Sequence, residues 1–185
     1  RGLGDVYKRQ NLAADFLTAN GFTEIMSNSL TKAAYYEGLE SYKPENCVRI
    51  LNPLSADLNV MRQTLLFNML EAVQLNANRK NGDLKLYEFG NCYFYDESKR
   101  SEENRLAAYS EEYRLAIAVT GVAEPASWNA RPQAASFFTL RAVAEKLLRR
   151  FGIDIYALRT ETLQNDLFGC LLYTSDAADD LTRVD

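Results

Sequence analysis

Histidine does not occur anywhere in these 185 residues. Its absence removes the imidazole general base, the Ser-His triad and most zinc sites. Glycine is sparse, and Gly38, Gly82, Gly90 and Gly121 stand isolated, so there is no glycine-rich loop to cradle a phosphate. No apolar run approaches the ~20 residues of a membrane-spanning helix. A basic excess is missing too: 21 Lys and Arg face 25 Asp and Glu, a net charge of −4. That balance offers no electrostatic footprint for nucleic acid, whose phosphates demand a basic face. Cysteine is limited to Cys47, Cys92 and Cys170. With no secretory leader in the chain, reduced thiols and a cytoplasmic setting are expected. Carboxylate or lysine chemistry remains open, but these residues do not cluster at a telling spacing. No metal or cofactor site is expected.

The two ends share a nucleic-acid signature. Asp5-Val6-Tyr7-Lys8-Arg9-Gln10 can be encoded by GAT GTG TAT AAG AGA CAG. The reverse complement of that DNA, shifted by one base, translates as Cys-Leu-Leu-Tyr-Thr-Ser, which is Cys170 to Ser175. Such an inverted repeat resembles a translated transposase-type sequencing adaptor. Residues 1–10 and 170–185 are therefore expected to be adaptor-derived and are set aside from fold reasoning. Residues 11–169 form the natural piece, expected to be cut from a longer protein. Without the ends, 17 basic and 20 acidic residues remain, a net charge of −3. This length suits one domain and buries roughly two-thirds of its unfolded surface.

Periodicity gives alternating elements. Residues 11–20 read as a helix with Leu12, Phe16 and Leu17 on one face and Gly21 as its stop. Residues 22–30 read as a strand burying Phe22, Ile25 and Met26, and residues 31–38 as a short helix with a hydroxyl cap. Residues 47–51 alternate, with Val48 and Ile50 on one side, until Asn52-Pro53 ends the strand. From Arg62 the period turns helical, with Leu65, Leu66, Met69, Leu70 and Val73 as the apolar stripe. After the Asn81-Gly82-Asp83 turn, residues 84–91 are apolar on both faces, as in a central strand. A charged loop over 96–112 precedes a strand at 113–121, which sets Leu115, Ile117 and Val119 against the small Ala116 and Ala118. A loop with Trp128 leads to a helix over 135–151, carrying Phe138, Val143, Leu147 and Leu148, and 153–158 read as the start of another strand. The order predicts an α+β fold, an antiparallel sheet with flanking helices. Parallel pairing around the Arg62 helix is the open alternative.

Certain residues occur in a telling order. They are Gly21-Phe22-Thr23-Glu24-Ile25, Asn28-Ser29-Leu30, Asn52-Pro53-Leu54-Ser55, Met61-Arg62, Leu65-Leu66, Leu70, Asn76, Asn78-Arg79 and Tyr87-Glu88-Phe89-Gly90. Trp128-Asn129 and Phe137-Phe138-Thr139-Leu140-Arg141 continue the series. Each piece is weak alone; together they resemble the beta-subunit family of bacterial tetrameric phenylalanine–tRNA ligase, in its catalytic-like C-terminal domain. The resemblance covers residues 11–169. Thr139, Arg141 and Ala142 depart from it, standing where the family usually has aspartate, lysine and glycine.

The resemblance implies a truncated core like that of class II aminoacyl-tRNA synthetases. It implies a structural, alpha-subunit-binding role in a heterotetramer of two alpha and two beta chains that charges tRNA with phenylalanine. ATP and magnesium belong to the parent complex rather than to this piece, and tRNA is met mainly by other parts of the parent. In catalytic class II strands of the form glycine–x–x–aromatic–arginine, the arginine holds the ATP phosphate. Aligning Gly90 and Tyr93 to that form puts Phe94 at the arginine. A phenyl ring makes none of the paired donor contacts of a guanidinium. The piece alone is therefore expected to be non-catalytic. The alternative is a degenerate adenylate-forming ligase that still binds ATP or an amino acid. Glu88, on a strand between apolar neighbours, is read as a structural acceptor for Arg62 or Arg79 rather than a catalyst. Leu12, Phe16, Leu17, Phe22 and Ile25 are the candidate alpha-subunit interface.

Overall fold

The structure, a computed structural model, describes residues 3–163, 166–168 and 171–175. Helix α1 (Leu3–Ala19) comes first. It ends where Gly21 adopts φ +81°, with Gly21 N donating to Thr18 O at 3.0 Å and Phe22 N to Leu17 O at 3.0 Å. That pair of bonds is a Schellman cap, which needs the left-handed backbone glycine supplies. Two short strands follow, β1 (Thr23–Glu24) and β2 (Leu30–Thr31), then a 3-10 turn at Ala33–Tyr36. Strand β3 (Val60–Met61) pairs antiparallel with β2 and leads into helix α2 (Leu66–Asn78). The long strands β4 (Leu84–Tyr95) and β5 (Tyr109–Thr120) come next, then the small pair β6 (Val122–Glu124) and β7 (Gln133–Ala134). Helix α3 (Phe137–Arg150) starts in a capping box between Ser136 and Thr139, and strands β8 (Arg159–Leu163) and β9 (Leu171–Ser175) pair with each other.

The main sheet has the order β1-β4-β5. β4 and β5 are antiparallel from Leu84 opposite Thr120 to Tyr95 opposite Tyr109. β1 runs parallel to β4, with Thr23 beside Leu86. The α+β class is as expected, and β4 is central. The sheet is mixed rather than purely antiparallel, because the connection carrying α2 returns the chain parallel to β1, the alternative the sequence left open.

The alternation along β4 and β5 sorts the core into two layers. Leu17 and Phe22 pack with Tyr87, Phe89, Leu115, Ile117, Val119 and Val143, which places α1 and α3 over one face. Met69 of α2 packs with Leu84 and Leu86, against Ala116 and Ala118, on the other. The small alanine face thus receives the close-packed helix. Beside it, Tyr36, Cys47 and Val60 form a separate cluster against Phe67.

Several expected elements differ. Residues 22–30 are not one strand. Ile25 N bonds to Tyr87 O at 2.8 Å, but the chain then turns Ser27 inward, and Met26 is left 92% exposed rather than buried. The helix expected over 31–38 is the single 3-10 turn, and its N-cap Lys32 makes no side-chain cap. The strand expected over 47–51 shrinks to one bridge, Arg49 to Val60. α2 begins at Leu66, not Arg62, because Arg62, Gln63 and Thr64 are buried before it in other contacts. Leu70 and Phe138 lie outside the core. Within the expected loop, 3-10 turns occur at Glu97–Lys99 and Arg105–Ala108, and β5 already begins at Tyr109. No strand forms over 153–158; the next one starts at Arg159. Of the ends read as adaptor, residues 3–10 lie in α1 and 171–175 form β9, whereas 1, 2, 170 and 176–185 are outside the described residues. No helix among the described residues is long and apolar enough to cross a membrane.

Candidate functional site

The even-numbered residues of β4, Glu88, Gly90, Cys92 and Phe94, share one face of the main sheet. Arg62 reaches that face from the extended segment between β3 and α2. Its Nη1 donates to Glu88 Oε1 at 2.7 Å and to Ser27 Oγ at 2.8 Å, and its Nε donates to Asn91 O at 3.0 Å. Ser27 Oγ lies 2.7 and 2.8 Å from the two oxygens of Glu88, and Ser27 N donates to Oε1 at 3.2 Å. The backbone is tied in as well: Arg62 N donates to Ser29 O at 2.9 Å and Tyr93 N to Arg62 O at 2.8 Å. Arg62 and Glu88 are only 3% and 1% exposed. Three distant stretches of chain therefore meet at one charge-assisted knot.

Gly90 makes room for it. A Cβ built there would stand 2.1 Å from Arg62 Nη2 and 3.0 Å from Leu65 Cδ2. Nη2 of the guanidinium thus occupies the space over the middle of the sheet that a side chain would fill. The other possible partner of Glu88, Arg79, is instead the C-cap of α2. Asn68 of α2 donates to Asn28 O at 2.9 Å and so anchors the helix to the same inward-turned segment.

Next to the knot, Gln63 N donates to the hydroxyl of Tyr36 at 2.9 Å, and Gln63 Nε2 donates to Lys43 O at 2.9 Å and to Cys47 Sγ at 3.0 Å. Burial pushes the Tyr36 phenol up to about 12, against the opposing pull of the Gln63 amide. Burial also raises the thiols of Cys47 and Cys92, so both are kept as protonated, unreactive groups.

Phe94 sits opposite Ser110, and its ring is covered by a guanidinium from the neighbouring strand: Arg114 Cζ is 5.0 Å from the ring centroid. Arg114 in turn donates through Nε and Nη2 to Glu112 Oε2 at 3.0 and 2.5 Å. The sequence reading missed Arg114, Glu112 and Ser27. Arg114 fell inside the strand expected over 113–121 and Glu112 at the end of the expected loop, and only the cross-strand register brings them to this face.

The candidate interface residues are placed unequally. Leu17 and Phe22 are buried inside this chain, Phe16 and Ile25 are half-buried, and Leu12 is at the surface. A cavity of about 400 Å3, lined in part by Phe22, Lys85, Val119, Val143 and Lys146, lies on the α3 side, away from Arg62 and Glu88. Among the described residues no group of three or more metal-ligating side chains gathers to hold an ion.

The family model described as the phenylalanyl tRNA synthetase beta chain CLM domain matches residues 1–168. The chain is 51% identical over 165 residues to the phenylalanine–tRNA ligase beta subunit of Bacteroides fragilis, covering 89% of this chain and 20% of that one. It is 45% identical over 162 residues to the same subunit of Porphyromonas gingivalis, covering 88% and 20%. It thus spans about a fifth of the length of these curated relatives. Among solved structures, a pyrrolysyl-tRNA synthetase from Desulfitobacterium hafniense aligns with a TM-score of 0.62 at 14% identity, over 92% of this chain and 55% of that one. That likeness is one of fold, and it carries the class II synthetase-like core expected from the sequence. The chain belongs to the phenylalanyl tRNA synthetase beta chain family.

Proposed function

We propose that this chain is a structural, alpha-subunit-binding domain of a phenylalanine–tRNA ligase beta subunit, silent in chemistry itself. In this reading it supports ATP-dependent charging of tRNA with phenylalanine by a cytoplasmic heterotetramer of two alpha and two beta chains. ATP and magnesium are handled by the parent complex, and tRNA is contacted mainly by its other parts. One observation carries the reading: the buried Arg62 guanidinium lies across Gly90, spent on Glu88, Ser27 and Asn91, where a ligand-binding sheet face would be open. Phe94 agrees with it, since a phenyl ring offers no donors to a phosphate.

An interface along α1 would be formed by Leu12 and the uncovered parts of Phe16 and Ile25, because Leu17 and Phe22 are already used within the chain. Residues 11–169 are the natural segment in this reading, and residues 1–10 and 170–185 are adaptor-derived. Sequencing the gene from unamplified genomic DNA tests that point, since other codons should flank the segment. The functional test is to co-express the full beta gene with the neighbouring alpha gene and to titrate the beta chain alone with ATP and phenylalanine. A two-plus-two complex with no heat from the lone beta chain is the expected result. A beta chain that stays alone and binds ATP would overturn it.

The second reading, a degenerate ligase domain that keeps ATP or amino-acid binding, is favoured by one feature: the guanidinium of Arg114 over Phe94.

A further inference from the structure

Strand β5 stands at the edge of the main sheet with the composition of an interior strand. Among the described residues the sheet ends there, and no backbone group of Tyr109–Thr120 bonds to any element other than β4. Natural edges are protected by proline, bulges or shortness. β5 has none of these: it runs for 12 residues, keeps one register with β4 throughout, and contains neither proline nor glycine. Its only charges are Glu111, Glu112 and Arg114. Glu111 accepts from Asn91 Nδ2 on β4. The other two retain capacity. Arg114 gives Nε and Nη2 to one oxygen of Glu112, Oε2, which leaves Glu112 Oε1 and Arg114 Nη1 without a bond among the described residues. These side chains are 36% exposed for Arg114 and 55% for Glu112. On the opposite face Tyr109 and Tyr113 are half exposed, each held by a ring of β4, with centroids 5.2 Å from Tyr95 and 6.2 Å from Phe89.

We propose that the open edge of β5 pairs antiparallel with the β5 of a second copy of this chain, about a twofold axis through Tyr113. Opposite residues of an antiparallel pair share a face, and a twofold axis perpendicular to the sheet keeps each face continuous with itself. Glu112 of each copy then stands opposite Arg114 of the other, so the free carboxylate oxygen and the free guanidinium nitrogen meet twice. Tyr113 faces its own copy, and Tyr109 covers the half-buried Ile117 of the other. Any strand could supply the backbone ladder. The reciprocal order of charges is what selects another β5, because a strand without it would leave like or unpaired charges facing one another. A single strand edge buries little area, so the dimer belongs to the weak, concentration-dependent class. The inference is independent of the alpha-subunit reading.

The test is sedimentation velocity of the full 185-residue chain at low salt, over a roughly hundredfold range of concentration suited to a weak dimer. The unaltered chain is compared with Glu112→Arg, Arg114→Glu and the double exchange, and thermal unfolding confirms that each is folded. The unaltered chain should show a monomer–dimer equilibrium. Each single variant sets like charges opposite one another at both pairs and should weaken the dimer by about tenfold or more. The double exchange should restore it. An equimolar mixture of the two single variants should also dimerise, since every facing pair is again opposite in sign. Hydrogen exchange on the unaltered chain needs no variant: amides of residues 109–117 should gain protection as concentration rises. A chain that stays monomeric throughout overturns the proposal, as does a dimer indifferent to Glu112→Arg and Arg114→Glu. A mixture of folded single variants that stays monomeric overturns it too, and so does β5 exchange that ignores concentration. None of these outcomes depends on the alpha chain or ATP, so they leave the functional reading to its own test.

Discussion

Arg62–Glu88 and Arg114–Glu112 lie on the same face of the main sheet, yet only the first joins parts of the fold that are distant in sequence. Arg62 and Glu88 are 26 residues apart, and their shared partner Ser27 is 61 residues from Glu88. Arg114 and Glu112 are two residues apart on one strand. The inner pair has lost its water and offsets part of the cost through the hydrogen bonds that link Arg62, Glu88, Ser27 and Asn91. The outer pair keeps much of its water and gains little from the contact. Identical chemical groups thus serve two ends: one pair fixes where the segments before α2 and after α1 meet the sheet, and the other sets the charge of a surface.

The difference is broken most sharply by removing half of the inner pair. Glu88→Ala leaves a buried, uncompensated guanidinium and should destabilise the chain by about 3–5 kcal/mol in urea unfolding. The combined change of Arg62→Met with Glu88→Leu should recover most of that loss, because no charge then remains buried without a partner. A Glu88→Ala cost under about 1 kcal/mol would mean that water reaches the knot, and the contrast between the pairs would collapse.

Gly90→Ala attacks the same knot from the backbone side. Its new Cβ would stand 2.1 Å from Arg62 Nη2, and that nitrogen cannot retreat without loosening the bonds to Glu88 and Ser27. Overpacking of this kind costs about 1–3 kcal/mol. Gly90→Ala placed on the Arg62→Met background should be milder, since a methionine end can bend away. Equal costs on both backgrounds would locate the strain elsewhere, at Leu65.

The layers of the fold were legible because they depend on alternation. Leu115, Ile117 and Val119 against Ala116 and Ala118 announced a large-side-chain face and a close-packed face, and α3 and α2 cover them respectively. The stop of α1 at Gly21 was equally plain, since few residues other than glycine take the left-handed turn of its cap. Short-range pattern failed where a long-range contact overrode it. Met26 had the hydrophobicity of a core residue, but Ser27 was claimed by Glu88, 61 residues away, and the turn that delivers Ser27 throws Met26 outward. Arg62 looked like the start of a helix for the same reason: its periodicity continued that of α2, but its side chain was committed to the sheet. At the candidate site, Arg62, Glu88 and Phe94 stood out as residues, whereas Arg114 and Glu112 acquired meaning only from the cross-strand register.

Alkaline pH probes the ground next to the inner pair. Tyr36 titrates near 10 when unfolded and at about 12 in the fold, where burial disfavours its phenolate. Its contribution is complete below pH 10. Above that the unfolded chain releases the proton first, and stability should fall until about pH 12, by roughly 2–3 kcal/mol. Tyr36→Phe should flatten this decline, at a neutral-pH cost of about 1 kcal/mol for the Gln63 amide left without its acceptor. An unchanged alkaline slope in the Phe variant would assign the decline to the buried thiols of Cys47 and Cys92, whose shifts have the same sign.

The smallest expected effect belongs to the outer pair. Glu112→Gln should change unfolding free energy by less than about 1 kcal/mol, and the change should shrink further as salt is raised, because both side chains keep contact with water. The amide still accepts a hydrogen bond from Arg114, so only the charge is removed. Urea unfolding at low and high ionic strength checks this. A loss as large as that of Glu88→Ala would mean that the outer pair is structural like the inner one, and the contrast in burial between the two would not govern their worth.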